Sequence, residues 1–320
     1  MDLFGMKKRK QQKQDEAAQS RYEIACGYYF GDGMLAQNYE LAVDSFEKAI
    51  ALGSVDAINH LGVCYRTGLG VEQNEAKAAI LFAEAAEKGQ VSAINNLAFC
   101  LSSGIGVEVD KKRAFSLYEI AAAEGNADSQ NDLGVMYKNG EFVEQDYEKA
   151  FEYFEMAAEN GQALAQYNLA DLYMYGNGVE QSDEKCLGYW VLAAQAGVAP
   201  AMSNIGVAYE QGLCGLLPDP ETAVEWYQKA VALGNIGAQD NLAICYFYGN
   251  GIEKDTKLAF YLWSQAAAAG HVEAQASLGY CYANGEGVEI DAETGRYWLE
   301  KAAANGSERA VEFLDGYGED

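Results

Sequence analysis

The sequence predicts an all-α protein, a right-handed α/α superhelical solenoid of about eight 36-residue helix-pair repeats. Three observations predict it. Glycines fall at Gly53, Gly89, Gly125, Gly161, Gly197, Gly234, Gly270 and Gly306, every interval being 36 residues except one of 37. Each interval carries two apolar segments with helical spacing of three and four residues. The 320 residues include only three prolines and are half hydrophobic, so helices are free to form and to pack. Repeats stack into one elongated body, so a length that suggests two globular domains here does not.

The first helix of each unit centres on a Leu-Gly or Leu-Ala pair or its relative: Leu61-Gly62, Leu97-Ala98, Leu133-Gly134, Leu169-Ala170, Ile205-Gly206, Leu242-Ala243 and Leu278-Gly279. Four residues past the first member stands Tyr65, Leu101, Tyr137, Tyr173, Tyr209, Tyr246 or Tyr282, on the same helical face. In the fourth unit the pattern predicts a first helix over about 128–138 and a second over 147–159. The small residues let paired helices approach. Phe82, Tyr118, Phe154, Trp190, Tyr227 and Trp263 share one position on the second helix and fill the remaining space.

The second helices have a start signal in every unit: Asn38, Asn74, Asp110, Asp146, Ser182, Asp219, Asp255 and Asp291. Side chains of these types accept an otherwise orphaned backbone N–H. Pro220 follows one such cap at N1, where its missing N–H costs nothing. The glycine closing each unit sits where a helix end favours a left-handed residue. The two ends are atypical. Arg21 replaces a small residue in the first unit, and residues 307–314 start a ninth first helix with no second. The expected division is a mobile basic tail over 1–16, a single solenoid over 17–306, and a C-terminal cap and tail over 307–320.

Taken together, the Ala-x-x-x-Leu-Gly-x-x-Tyr-x-x-Gly-x-Gly-Val-x-x-Asp pattern and the later Ala-Ala-x-x-Gly resemble the Sel-1-like repeat, a relative of the tetratricopeptide repeat. Ala274, Leu278, Gly279, Tyr282, Gly285, Gly287, Val288, Asp291, Ala302, Ala303 and Gly306 carry it well. The resemblance implies a non-catalytic adaptor. Three places depart from the pattern: Phe142 replaces the second turn glycine of the fourth unit, the sixth has an extra residue near Leu213-Cys214-Gly215, and the eighth has Gly295 where most have alanine.

Chemistry is hard to find in such a chain, because nearly every notable residue recurs. The Gly-x-Gly-Val turns lack the third glycine, the Lys-Ser and the preceding strand of a phosphate cradle. Cys64, Cys100, Cys245 and Cys281 occupy a position filled elsewhere by Met136, Leu172 and Ala208, so they are core fillers. Cys186 is alone on a second helix, and Cys26 and Cys214 have no partner that spacing reveals. Free thiols are expected. His60 and His271 stand six repeats apart and suit structural roles better than a metal or a catalytic pair. Neither metal nor cofactor is expected.

Charge narrows the partners. The formal net charge is −26, and from residue 14 onward 17 basic residues face 47 acidic ones. Such a body repels phosphate backbones and attracts basic proteins. The expected function is a protein-interaction scaffold holding a peptide or protein segment, a basic one by charge, in the concave groove lined by first helices. A column before the repeat leucine, His60, Asn96, Asp132, Asn168, Asn204, Asn241 and Ser277, offers donors and acceptors to a peptide backbone, or to neighbouring helices. Tyr175, Phe247 and Tyr248 are candidate exposed aromatics. Glu72, Glu108, Glu144, Glu180, Glu253 and Glu289 form an acidic edge, which also suits the positive end of the following helix. Two other classes stay open. One is a hydrolase of cell-wall or amide substrates. The other is a membrane-associated adaptor using Leu3, Phe4, Lys7, Lys8, Arg9 and Lys10. No apolar run reaches the length needed to span a bilayer, and the basic start leads into glutamines rather than an apolar segment, so a cytoplasmic protein is expected.

Overall fold

The protein's computed structural model describes residues 3–31 and 33–316, with side chains over 8–31 and 33–315. Among these residues there are seventeen helices and no strand. They fall into two compact units, residues 1–162 and 163–320.

The first unit contains α1 (Leu3–Phe30), α2 (Tyr39–Leu52), α3 (Val55–Thr67), α4 (Glu75–Glu87), α5 (Val91–Ser103), α6 (Lys111–Ala123), α7 (Ala127–Asn139) and α8 (Tyr147–Glu159). The second contains α9 (Ala163–Tyr175), α10 (Asp183–Gln195), α11 (Ala199–Gln211), α12 (Pro220–Ala232), α13 (Ile236–Tyr248), α14 (Thr256–Ala268), α15 (Val272–Asn284), α16 (Ala292–Ala304) and α17 (Glu308–Gly316). From α3 to α16 every helix is thirteen residues long, as an even repeat requires.

All eight predicted caps act as caps. Asn38, Asn74, Asp110, Asp146, Ser182, Asp219, Asp255 and Asp291 each accept the N–H three residues on. Each such bond stabilises its helix by about 1 kcal/mol. Gly125 and Gly161, taken as the repeat's punctuation, are left-handed with φ of 84° and 78°.

The helices of a pair touch through the predicted small residue. A Cβ on Gly134 would sit 2.6 Å from the Phe154 ring, so only hydrogen fits there. The aromatic of the second helix thus seats on the glycine of its own first helix. In the first unit one buried layer holds Phe46, Leu61 and Cys64, and the next holds Phe82, Leu97, Tyr118 and Leu133. In the second unit Tyr227, Leu242, Trp263 and Leu278 form the corresponding layer. Fully burying one such aromatic contributes about 2–3 kcal/mol. Helix α17 buries Ala310 against Leu299 and Ala302 of α16.

A second glycine has a different task. At Gly70, Gly106, Gly251 and Gly287 the turn after the first helix is pressed onto the start of the preceding repeat's second helix. A Cβ on Gly106 would lie 2.2 Å from the Glu75 carbonyl oxygen. Phe142 occupies this place in the fourth repeat and keeps the left-handed backbone, at φ 66°. Its ring is 40 % exposed and is covered by the Lys111 ammonium at 4.6 Å.

The expectation of a separate tail over 1–16 meets a helix that runs unbroken from Leu3. Residues 7–19 are Lys, Arg, Gln, Asp, Glu and Ala, all compatible with helix, with no glycine or proline to stop them. Gln11 donates to Asp15 and Gln12 to Glu16 at i,i+4 spacing, and Gln14 donates to the Leu52 carbonyl at 3.2 Å. Packing starts only at Ala18, since residues 8–17 all stand exposed.

Candidate partner-binding surface

In the first unit the column residues are already engaged within the chain. The His60 ring stacks on Phe46 at 5.3 Å, and its Nδ1 lies 3.3 Å from the Tyr22 hydroxyl. Asn96 donates from Nδ2 to Asn59 Oδ1 of the previous repeat at 2.8 Å. Asp132 is hydrogen-bonded to Tyr118 and Asn131, and burial pushes its carboxyl up to about 6, with Asp128 adding to the shift. A carboxyl with this value changes charge near neutral pH.

In the second unit the column is less uniform. Asn204 is hydrogen-bonded to Tyr167, and the Ser277 hydroxyl accepts from Arg309 at 3.1 Å. Asn168 has partners within the chain. Asn241 is half-buried and makes no side-chain hydrogen bond among the described residues. Seven residues on, two turns along the same face of α13, stands Tyr248 at 62 % exposure. Helix α9 repeats the arrangement with Asn168 and Tyr175, the tyrosine being 71 % exposed.

Phe247 corrects the aromatic expectation. It is buried, with its ring 5.3 Å from Trp263 and 6.2 Å from Tyr280. One position separates it from Tyr248, and about 100° of helical rotation carries it into the core. The acidic residues Glu72, Glu108 and Glu144 of the first unit, and Glu180, Glu253 and Glu289 of the second, are all exposed.

Beside this acidic edge the consensus tyrosine meets a lysine of the second helix. The Lys77 ammonium stands 3.9 Å from the Tyr65 ring centroid and donates to its hydroxyl at 2.6 Å. Lys149 lies 5.0 Å from the Tyr137 centroid. These contacts border two small recesses, one by Glu72 and Gln73 and the other by Glu144 and Gln145. The edge therefore carries both signs of charge.

The histidines hold structural positions. His271 caps α15 by accepting the Ala274 N–H at Nδ1, and His60 sits among aromatic rings. No cluster of three histidine, cysteine or acidic side chains suited to a metal occurs among the described residues. All seven cysteines are free thiols. Burial raises those of Cys64, Cys245 and Cys281, to about 11, 12 and 12, and so keeps them protonated. One feature escaped sequence reasoning: the Cys214 and Cys186 sulfurs lie 3.7 Å apart. The single 37-residue interval was the signal that could have found it.

Of the membrane-contact residues, Lys8, Arg9 and Lys10 are exposed on α1, and the side chains of Leu3, Phe4 and Lys7 lie outside the described residues. Among the described residues no helix is long and apolar enough to cross a membrane.

The Sel1 repeat family matches eight consecutive stretches, 18–54, 55–90, 91–126, 127–162, 163–198, 199–235, 236–271 and 272–307. The chain belongs to the Sel1-repeat family. Its repeats resemble those of a protective antigen of uropathogenic Escherichia coli strains, described as displaying an SLR fold. Identity there is 32 %, with a TM-score of 0.75 over 92 % of this chain. The Sel1-repeat chain spans 63 % of that antigen's length. A Sel1 repeat protein from Oxalobacter formigenes is 28 % identical at TM-score 0.66, covering 99 % of this chain and 91 % of that one. No curated protein matches the chain. Sel1 repeats are commonly protein-interaction scaffolds, and the match extends over almost every described helix.

Proposed function

We propose that the protein is a non-catalytic adaptor that holds a peptide or protein segment against the first helices of its second unit. The observation that supports this reading most is the pairing of Asn241 with Tyr248 on one face of α13. A half-buried amide without an internal partner can bond an extended backbone in both directions. A tyrosine two turns away supplies the large, semi-rigid anchor typical of interfaces. The formal charge of −26 favours a basic segment and speeds its encounter.

The test is a displayed peptide library panned on the full chain. Enriched sequences should carry lysine or arginine around an apolar residue and should bind more weakly as salt rises. The double variant Asn241→Ala/Tyr248→Ser should lower affinity for an enriched peptide at least about tenfold, with thermal unfolding nearly unchanged. No enrichment, or equal affinity for the variant, would sink the reading.

A further inference from the structure

The sixth repeat is a residue longer than the repeats on either side of it, 37 against 36. The extra length makes a tight turn at 213–216, closed by the Leu216 N–H donating to the Leu213 carbonyl at 3.0 Å. Both central residues, Cys214 and Gly215, are left-handed, with φ of 52° and 73°. Cys214 is thus held in a conformation that side chains other than asparagine and aspartate seldom adopt. The turn lays its side chain on the first turn of α10, in the preceding repeat.

There the Cys214 sulfur meets two others. It lies 3.7 Å from Cys186 Sγ and 3.8 Å from Met174 Sδ. Among the described residues no other cysteine has a second sulfur within hydrogen-bonding reach. Cys186 is fully buried, and Cys214 is 8 % exposed. A groove of about 660 Å³ along α10 reaches Cys214, with Leu187, Val191, Leu192 and Leu216 as its apolar walls. Asp183 and Glu184 also line it. One thiol is therefore reachable by a small molecule, and the second waits behind it.

We propose that Cys186 and Cys214 form a site of reversible oxidation, at which hydrogen peroxide or a neutral disulfide closes an intrachain disulfide. With peroxide, Cys214 Sγ attacks one oxygen. An S–O bond forms, the O–O bond breaks, and the departing hydroxide takes up the thiol proton as water. Cys186 Sγ then attacks the sulfenic sulfur of Cys214. The S–S bond forms as the S–O bond breaks, and a second water leaves with the Cys186 proton. Two thiols and one peroxide thus give one disulfide and two waters.

The sulfurs need to close from 3.7 Å to about 2.05 Å, a shift that a surface turn can supply. Burial raises both thiols, and Asp183 adds to the effect, so oxidation is slow. The same acidic mouth repels anionic oxidants. Glutathione disulfide should therefore react more slowly than peroxide or hydroxyethyl disulfide. Once formed, the bond ties the turn to α10 and fixes one wall of the groove.

The experiment uses the full chain, reduced, then treated with hydrogen peroxide, unfolded in guanidinium chloride and alkylated with iodoacetamide. The expected product is lighter by about 2 Da before alkylation, the mass of two hydrogens. It leaves five of the seven cysteines open to alkylation. A non-reducing peptide map should show Cys186 linked to Cys214, and dithiothreitol should restore seven alkylated sites. Cys214→Ser should abolish the linkage. Chymotryptic cleavage after Leu216 should slow at least about fivefold on oxidation of the natural chain. Seven alkylated cysteines after peroxide, or a linkage between any other pair, overturns the proposal. The peptide map of the natural chain decides even if the serine variant fails to fold.

Discussion

Trp190 and Trp263 occupy the same position in two repeats of the second unit, the eighth residue of α10 and of α14, and both are buried. Their polar ends have opposite fates. Trp263 Nε1 donates to Asp240 Oδ1 at 2.8 Å. Trp190 Nε1 is the buried side-chain polar atom left without an acceptor among the described residues. The reason lies in the partner helix. Asp240 is the fifth residue of α13, and the fifth residue of α9 is Tyr167, which is hydrogen-bonded to Asn204 instead. The repeat therefore specifies the shape of its core but not the pairing of polar groups inside it. That pairing is settled separately in each copy.

The contrast predicts unequal losses. Asp240→Ala strips Trp263 of its acceptor and should lower the unfolding free energy by about 2–3 kcal/mol, read by urea titration with tryptophan fluorescence. The double change Asp240→Leu with Trp263→Phe should recover most of that loss, since both polar partners then leave together. A loss under about 0.5 kcal/mol for the single change would mean that the bond stabilises little.

Acids in such positions also leave a pH signature. Burial raises Asp240, with His271, Trp263 and Arg309 opposing the shift, and it raises Asp132 of the first unit to about 6. A carboxyl with a raised folded value holds its proton more tightly in the native state. Its contribution to stability is therefore greatest below the ordinary carboxylate range, falls as pH rises from about 4 to about 6, and is level above that. For Asp132 the loss across this window is on the order of 3 kcal/mol. Asp132→Asn should flatten that part of the stability profile, measured by chemical unfolding at pH 4, 5, 6 and 7. An unchanged difference between the variant and the natural chain across the window would remove the assignment.

The smallest effect belongs to the other member of the pair. Trp190→Phe deletes a donor that has no acceptor, so relief of its desolvation offsets the lost packing. The change should lie within about 0.5 kcal/mol of zero. A loss above about 1.5 kcal/mol would show that the Trp190 N–H finds a partner in solution.

Most of the fold was legible because it is written in residues with one local meaning. Asn38 or Asp146 can be recognised as a cap without knowing what lies across the helix, and Gly161 as a stop. Gly134 was legible as a close approach because its counterpart Phe154 recurs at a fixed offset. The surface was less legible, because its state depends on neighbours that no period predicts. Asn96 is bonded to Asn59, whereas Asn241, four repeats further on, makes no side-chain hydrogen bond among the described residues. Phe247 and Tyr248 differ by one position, and only the packing of Trp263 decides which of them is buried. Cys214 meets Cys186 because an inserted residue in the sixth repeat turned the chain back there. The first sixteen residues suggested a tail by composition, yet the same composition suits a helix once α2 offers Leu52 as a support.

The seat of Gly106 on the Glu75 carbonyl has a consequence for how such a chain can change its length. Backbone meets backbone there, so the step from one repeat to the next has no slack to take up a stray residue. Additions are tolerated where the turn swings outward, as at Cys214, or as whole copies that bring a seat of their own. A protein built this way grows and shrinks in units of one helix pair, much as a bead chain does.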